Sequence, residues 1–193
     1  LEVPVPKTEL FQTCEEAARY SGPFPAVVKG SLEAGKNIVY YVNDLNELIH
    51  AFKQVLKEPS QKGSFPLVQE RVEGVGLGLF AFYQQGEMKR FYMHQRLREF
   101  PLEGGSATAA MTIYHEKAFI EGKKLLDALK WNGPCMVEFK FEEKTGKLNL
   151  MEINPKFWGS LELGLLAGLN FGEYLIRSFR GEILDTLLDP SYP

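Results

Sequence analysis

Three oxygen-bearing side chains near the end of the chain have a spacing that suits a metal ion. Glu152 and Asn154 are two residues apart in the apolar stretch LMEINP, and Pro155 follows them. Residues two apart on a strand point to the same face, and a proline cannot continue an interior ladder. The sequence therefore predicts a carboxylate and a carboxamide on one face at the end of a strand.

Glu138 supplies a third oxygen donor from the preceding apolar stretch, CMVEFKF. The segment EKTG between the two stretches predicts a hairpin turn, and pairing around it brings residue 138 roughly opposite residue 152. Like charges that face each other destabilise a sheet, and a hard divalent cation removes that repulsion. Oxygen donors of this kind suit Mg²⁺ bound together with substrate phosphates. The alternative is that these are ordinary solvated residues on an exposed sheet face.

The elements around these residues predict an α+β chain. Strands FPAVVKG and NIVYYV precede a helix, DLNELIHAFKQVL, whose apolar residues keep a 3.6-residue period and which Asn43 is expected to cap. The later part of the chain is richer in strands, with a hairpin around QGE and the second hairpin around EKTG. We therefore predict a small lobe over residues 1–66 and a large lobe, which carries the metal site, over residues 67–193.

Composition narrows the class of protein. The 193 residues carry a net charge of −3, which argues against a nucleic-acid partner, and no apolar run approaches the roughly 20 residues of a membrane span. Two cysteines make neither a disulfide framework nor a metal quartet, and we expect a cytoplasmic protein. The chain opens with LEVPVPKTEL and no initiator Met, from which we expect a preceding N-terminal domain in a longer protein.

The acidic residues on the last two strands resemble those of the ATP-grasp superfamily. In that family a Glu, Asp or Gln lies a little over a dozen residues before an E-x-N on the next strand, and these residues hold one or two Mg²⁺, or Mn²⁺, on the phosphates of ATP. Glu138, Glu152 and Asn154 match this pattern. The resemblance implies two lobes, each with a mostly antiparallel sheet and helices, and the nucleotide between them. It is strongest to carboligases similar to the large subunit of carbamoyl-phosphate synthase.

The resemblance also assigns two ATP-binding lysines in the first lobe. FPAVVKG is similar to the strand whose final lysine reaches the phosphates, which is Lys29 here. The loop GSLEAGKN takes the place of the glycine-rich flap, where Lys36 could supply positive charge.

The stretch LVQERVEG resembles the hinge segment that meets the adenine ring. The family uses its backbone and one acidic or amide side chain there, which implies backbone contacts from Arg71 and Val72. The side chain is either Gln69 or Glu70, and the spacing does not choose between them.

Two cations are expected to act on the transferred phosphoryl group. Arg96 follows a strand whose exit would face the phosphates, and it is expected to contact the γ-phosphate or an acyl phosphate. Lys156 stands where many members of the family have Arg. Lysine keeps the charge but lacks the bidentate fork of arginine.

The implied reaction has two steps. A small-molecule carboxylate attacks the γ-phosphate of MgATP to give an acyl phosphate, and an amine, or less often a thiol, then displaces phosphate. The alternative is a non-catalytic nucleotide-binding module or one half of a split synthetase, which would work with a preceding domain or a partner subunit. A protein kinase is disfavoured because the chain lacks an H-R-D loop and a D-F-G segment.

Overall fold

The computed structural model describes residues 1–32, 38–100 and 105–189, apart from the side chain of Ser106. These residues form two compact units, which confirms the predicted α+β fold with two lobes. The small unit comprises Pro6–Val72, and the large unit comprises Leu1–Val5 with Glu73–Pro193. Helices and strands are given below for the described residues.

The predicted division between residues 66 and 67 differs from the observed one at both ends of the small unit. The strand Leu67–Glu70 lies inside the small sheet, where it pairs with the strand Ala26–Lys29, so its backbone hydrogen bonds hold it there. The first residues of the chain join the large unit instead, where the backbone N–H of Leu150 donates to the carbonyl oxygen of Pro4 over 2.8 Å.

The small unit contains a four-stranded antiparallel sheet and two α-helices. Its strands are β1 (Thr8–Leu10), β2 (Ala26–Lys29), β3 (Val39–Val42) and β4 (Leu67–Glu70), and its helices are α1 (Cys14–Ala17) and α2 (Leu45–Lys57), followed by a short 3₁₀ helix (Pro59–Gln61). The spatial order of the strands is β1–β4–β2–β3. Helix α2 is capped by Asp44 and not by the expected Asn43, since Oδ1 of Asp44 accepts the N–H of Glu47 over 2.9 Å.

The core of the small unit lies on one side of its sheet. Strand residues Ala26, Val28, Val42 and Val68 pack with the apolar face of α2, which contributes Leu48, Phe52 and Val55. Because side chains alternate along a strand, Lys29 lies on the opposite face from Val28, and Gln69 lies on the opposite face from Val68. The register places Gln69 beside Val27, which puts Lys29 and Gln69 on the same face.

The large unit contains a five-stranded antiparallel sheet and three α-helices. Its strands are β5 (Val75–Gln84), β6 (Glu87–Phe100), β7 (Ser106–Thr112), β8 (Gly133–Glu142) and β9 (Lys147–Asn154), and its helices are α3 (Glu116–Ala128), α4 (Leu161–Leu166) and α5 (Phe171–Phe179). The spatial order is β7–β6–β5–β8–β9. None of the helices found among the described residues combines the length and the apolar character that a membrane span requires.

Both faces of the large sheet bury apolar side chains. One face, here called the α3 face, packs residues such as Leu79, Met93, Val137 and Phe139 against Ala118 and Leu126 of α3. The other, here called the α5 face, packs Phe80, Phe82, Tyr92 and Met136 against Trp158, Phe171 and Tyr174. Two residues farther along the strands, the α5 face changes from aromatic to polar. At that level it carries His94, Gly78, Glu138 and Glu152, paired in register across β6, β5, β8 and β9.

Candidate functional site

The three predicted oxygen donors converge on the α5 face of the large sheet. Glu138 of β8 lies directly opposite Glu152 of β9, so the predicted hairpin register is confirmed. Asn154, opposite Met136, directs Nδ2 to within 2.6 Å of Oε1 of Glu152 and 3.5 Å of Oε1 of Glu138. A register irregularity follows Glu138. The sequence therefore placed these three side chains correctly, and their role as metal ligands stays a prediction.

Glu138 and Asn154 are more deeply buried than Glu152. Asn154 is 8% exposed and the Glu138 side chain 15% exposed, whereas Glu152 is exposed at the strand end. Burial raises the pKa of Glu138, the charge of Arg96 opposes that rise, and the negative charges of Glu152 and Glu99 add to it. The two facing carboxylates are thus an unfavourable charge arrangement that a positive ion would relieve.

Arg96 supplies part of that positive charge from two strands away. Its Nη2 lies 2.5 Å from Oε1 of Glu138, although Arg96 is on β6, Glu138 is on β8, and β5 lies between them. Its Nη1 lies 3.6 Å from Oε1 of Glu99 and donates to the carbonyl oxygen of Gly105 over 3.3 Å. Lys140 lies 3.8 Å from the same oxygen of Glu99. Glu138, Arg96, Glu99 and Lys140 thus form a chain of contacts between alternating charges, with two members on β6 and two on β8.

Glu99 and Lys140 were not found from the sequence. Arg96 and Glu99 are three residues apart, and on a regular strand that spacing would place them on opposite faces. The pairing of β6 with β7 is irregular between Arg96 and Glu99, which brings both side chains together. No sequence signal marks this irregularity. Lys140 could have been found, because it is two residues after Glu138 on the same strand.

His94 lies at the boundary between the aromatic and polar parts of the α5 face. It is 2% exposed, its ring is 4.6 Å from that of Phe80, and its Nδ1 is 3.3 Å from Oγ of Ser160. Its Nε2 is buried and has no hydrogen-bond partner among the described residues. Burial, and secondarily the charge of Arg96, lowers the pKa of His94 to about 4. The imidazole is therefore neutral at pH 7.

We expect this histidine to make the protein less stable in mild acid. An unfolded chain has a histidine pKa near 6.5, so the unfolded state takes up the proton first as the pH falls from 7. With a native pKa of about 4 for His94, the free energy of unfolding should fall by about 2 kcal/mol between pH 7 and pH 5 from this group alone. Urea unfolding of wild type and His94→Gln at pH 7 and at pH 5 measures this contribution. An equal pH dependence in the two proteins would contradict it.

Lys156 follows the strand end in an exposed segment of the large unit. The next buried side chain is Trp158, whose ring is 4.5 Å from Phe80 and 5.0 Å from Phe171. This anchor fixes the chain two residues after Lys156, which is itself exposed. The segment thus leaves the strand with its lysine directed away from the core, and the phosphoryl contact of Lys156 stays a prediction.

The small unit joins two of the predicted nucleotide-binding residues. Nζ of Lys29 donates to Oε1 of Gln69 over 3.0 Å, and Nε2 of Gln69 donates to Oγ1 of Thr8 over 2.7 Å. Glu70 instead accepts the backbone N–H of Lys7 over 3.0 Å. Of the two alternatives for the adenine contact, Gln69 is therefore the residue that lies beside Lys29.

Three further residues of the small unit, Arg71, Val72 and Lys36, are predicted to contact the nucleotide. The backbone N–H of Arg71 donates to the carbonyl oxygen of Pro25 over 3.3 Å, so a backbone contact of Arg71 with a nucleotide would use its carbonyl oxygen. The Arg71 guanidinium lies over Tyr41, 5.3 Å from the ring centroid. Val72 is the last residue of the unit. Lys36 lies outside the described residues.

The donor set on the α5 face fits a hard cation whose remaining ligands are phosphate oxygens and water. Glu138, Glu152 and Asn154 offer two carboxylates and a carboxamide, and rotation of Asn154 about χ2 would direct its Oδ1 toward the same point. Within residues 1–32, 38–100 and 105–189, no group of three His, Cys, Asp or Glu side chains could hold a metal ion. Mg²⁺ requires six oxygen ligands, so the chain's donors suit it when phosphates and water complete the set.

Comparison with solved structures identifies the fold. The chain is similar to the biotin carboxylase domain of 2-oxoglutarate carboxylase from Hydrogenobacter thermophilus, with 17% identity, a TM-score of 0.74, and coverage of 97% of this chain and 44% of that one. N5-carboxyaminoimidazole ribonucleotide synthetase from Thermotoga maritima has 18% identity, a TM-score of 0.69, and coverage of 95% and 46%. D-alanyl-alanine synthetase A from Vibrio cholerae has 13% identity, a TM-score of 0.70, and coverage of 93% and 60%.

These likenesses establish that the chain has the ATP-grasp fold, as its acidic pattern predicted. The chain spans less than two thirds of each of these three proteins. No protein-family model matches the sequence, and no curated protein matches it.

Proposed function

We propose that this chain is the ATP- and Mg²⁺-binding part of a ligase that activates a carboxylate as an acyl phosphate and joins it to an amine or a thiol. One observation carries the proposal: Glu138, Glu152 and Asn154 meet on one sheet face, with the Arg96 guanidinium 2.5 Å from Glu138. The chain shares its fold with nucleotide-dependent ligases, and this likeness supports the interpretation of the arrangement as a site for a metal ion and phosphates.

The large unit would neutralise and orient the phosphates. Glu138, Glu152 and Asn154 would hold one or two Mg²⁺, with Mn²⁺ as a substitute, and the bound ion would offset the charge of the phosphate oxygens. Arg96 would direct its guanidinium at the transferred phosphoryl group, and Lys156 would add a second positive charge. In phosphoryl transfer, positioning and charge stabilisation of this kind are the main contributions of the protein.

The small unit would bind the rest of the nucleotide. Lys29 is proposed to contact phosphate and to be oriented by Gln69, whose carboxamide it already contacts over 3.0 Å. Gln69 or Glu70 would read the adenine edge together with the backbone of Arg71 and Val72. Lys36 is proposed as a further phosphate contact.

The compared structures support nucleotide binding most directly. The structure from Hydrogenobacter thermophilus is described as a complex with MgADP, ADP and bicarbonate, and the other two proteins are named as synthetases. The acid and the acceptor of the present chain are proposed only by class, a small carboxylate and an amine or thiol. A closer relation to carboligases similar to carbamoyl-phosphate synthase stays a prediction.

A non-catalytic nucleotide module, or one half of a split synthetase, is the second candidate. This candidate is favoured by the small share of the compared proteins that the chain covers, which is 44% of the carboxylase domain and 46% of the ribonucleotide synthetase. In that case a further domain or a partner subunit is proposed to supply the contacts to the carboxylate. The convergence of a complete donor set, Glu138, Glu152 and Asn154, favours the ligase over a degenerate module.

We expect the 193 residues to bind MgADP in calorimetric titration but to form no ligated product alone. The reason is that both units retain residues suited to the nucleotide, whereas the chain spans under half of the carboxylase domain. The full-length protein should release ADP from ATP with one acid and one amine from a panel. Lack of MgADP binding would contradict the proposal. Binding without acid-dependent ADP release by the full-length protein would support the module instead.

A further inference from the structure

The path of Arg96 across strand β5 depends on a glycine. Arg96 reaches from β6 to Glu138 on β8, and β5 between them carries Gly76 beneath the arginine stem. A Cβ added at Gly76 would lie 2.9 Å from Cδ of Arg96, 3.4 Å from its Cγ, and 3.1 Å from Oε1 of Glu99. Contacts of a Cβ below 3.0 Å are essentially absent from real structures. A side chain at Gly76 would therefore force Arg96 to move.

Space, and not backbone conformation, requires a glycine at this position. Gly74 and Gly86 have φ values of +119° and +80°, which other residues rarely adopt, whereas the φ of Gly76 lies outside that region. Alanine could therefore take up the Gly76 backbone without strain, and its cost would come from the clash with the neighbouring side chains. This makes Gly76→Ala a selective probe of the arginine.

We infer that Gly76 is a positioning residue that, together with Glu99, holds the Arg96 guanidinium against Glu138. Gly76 leaves the stem room to lie flat on the sheet. Glu99, 3.6 Å from Nη1 of Arg96 and 3.8 Å from Lys140, and the carbonyl oxygen of Gly105 hold the guanidinium on its other side. Gly76 and Glu99 together thus restrict the Arg96 side chain to one of its many rotamers.

The consequence for nucleotide binding rests on the proposed function. If Arg96 contacts phosphate, an arginine lifted from the sheet would present its charge at the wrong place. A displacement of the guanidinium by about 1 Å matters for such a contact, because a positioned charge stabilises the bound phosphate only when it lies beside the phosphate oxygens. Gly76 would then act on the ligand entirely through Arg96.

A double-mutant cycle without any ligand tests the positioning itself. We expect Gly76→Ala to raise the unfolding equilibrium constant about tenfold in the wild-type background and by less than about threefold in an Arg96→Ala background, where the clashing stem is gone. Gly172→Ala is the matched control, because a Cβ there would meet only Oδ1 of Asn170, at 3.5 Å. Its effect should be equal in both backgrounds. An equal effect of Gly76→Ala in both backgrounds would overturn the inference.

Failure of Gly76→Ala to fold would also be decisive. Folding restored by adding Arg96→Ala would show that the arginine stem causes the damage, as inferred. Failure of the double variant as well, while Arg96→Ala alone still folds, would show a clash with the sheet itself, and the inference would be wrong.

Calorimetry with the Mg²⁺ complex of β,γ-imido-ATP, which keeps a γ-phosphoryl group, then tests the consequence. We expect Gly76→Ala to weaken binding of this ATP analogue roughly tenfold in the wild-type background and to have little effect after Arg96→Ala, because both changes remove the same contact. Equal weakening in both backgrounds would show that Gly76 acts independently of Arg96, against the inference. If wild type binds neither the ATP analogue nor MgADP, the proposed function is wrong, while the ligand-free cycle still decides whether Gly76 positions Arg96.

Discussion

Glu152→Gln is expected to weaken MgADP binding by about 100-fold or more while the protein still folds. Glutamine keeps the size of the side chain and an oxygen that can accept from Asn154, now 2.6 Å away, but it loses the charge that a divalent cation requires. Loss of residues that only support metal ligands costs 10–100-fold, so loss of a ligand's charge should cost at least about as much.

Thermal unfolding with and without MgADP measures this effect directly. Ligand at 100 times its Kd stabilises wild type by about 2.7 kcal/mol, and a 100-fold weaker variant would gain only about 0.4 kcal/mol at the same concentration. Without ligand, the variant should melt at the same temperature as wild type or higher, because the repulsion between Glu138 and Glu152 is relieved. A purely structural role for Glu152 predicts the reverse pattern.

Glu143→Gln is the matched control, since Glu143 is an exposed glutamate in the turn of the same hairpin. It removes an equal charge from the same element at its other end. We expect it to keep the full MgADP-induced shift in melting temperature. If Glu152→Gln also keeps the full shift, Glu152 is not a metal ligand.

Local rules were sufficient to place the three oxygen donors from the sequence. The EKTG turn fixes the hairpin register, so Glu138 falls opposite Glu152, and the period of two puts Asn154 on the same face. Pro155 then ends the strand directly after the last donor. Each of these steps depends on neighbours within one hairpin. Short-range geometry therefore predicted the arrangement before the fold was known.

Other features depend on pairing that the sequence does not encode locally. The sequence predicts residues 67–70 as part of the large lobe, but the strand Leu67–Glu70 completes the small sheet by pairing with β2, about forty residues earlier. Glu99 reaches Arg96 only because the β6–β7 ladder is irregular between them. The burial that lowers the pKa of His94 comes from aromatic residues of several elements. Such long-range contacts become visible only in the folded chain.

Arg96→Met is expected to lower the stability of the ligand-free protein by about 2–3 kcal/mol. Methionine retains an unbranched apolar stem, so packing over the sheet is largely kept while the guanidinium is lost. Glu138, whose side chain is 15% exposed, would then face Glu152 and lie near Glu99 without its close positive partner. Removing one partner of a buried ion pair costs 3–5 kcal/mol, and the partial exposure of this pair reduces that figure.

Two further variants separate the charge effect from a loss of packing. Arg98→Met changes an exposed arginine two residues along the same strand and should leave the free energy of unfolding within about 0.5 kcal/mol of wild type. Adding Glu138→Gln to Arg96→Met should recover part of the lost stability, because the carboxylate without a partner is removed. No recovery in the double variant would mean that Arg96 stabilises the protein by packing alone.

Metal and nucleotide should respond to Arg96→Met in opposite directions. Mn²⁺ without nucleotide should bind the variant more tightly than wild type. In wild type the guanidinium neutralises Glu138 and repels the cation, and both effects are lost in the variant. The Mg²⁺ complex of β,γ-imido-ATP should bind the variant about tenfold more weakly, since a charged contact to the γ-phosphoryl group is lost. Calorimetric titration of both ligands into both proteins gives the two comparisons. A residue that only supports the fold would weaken the binding of both ligands together. Weaker binding of both Mn²⁺ and the ATP analogue by the folded variant would therefore contradict the assignment of Arg96 to the transferred phosphoryl group.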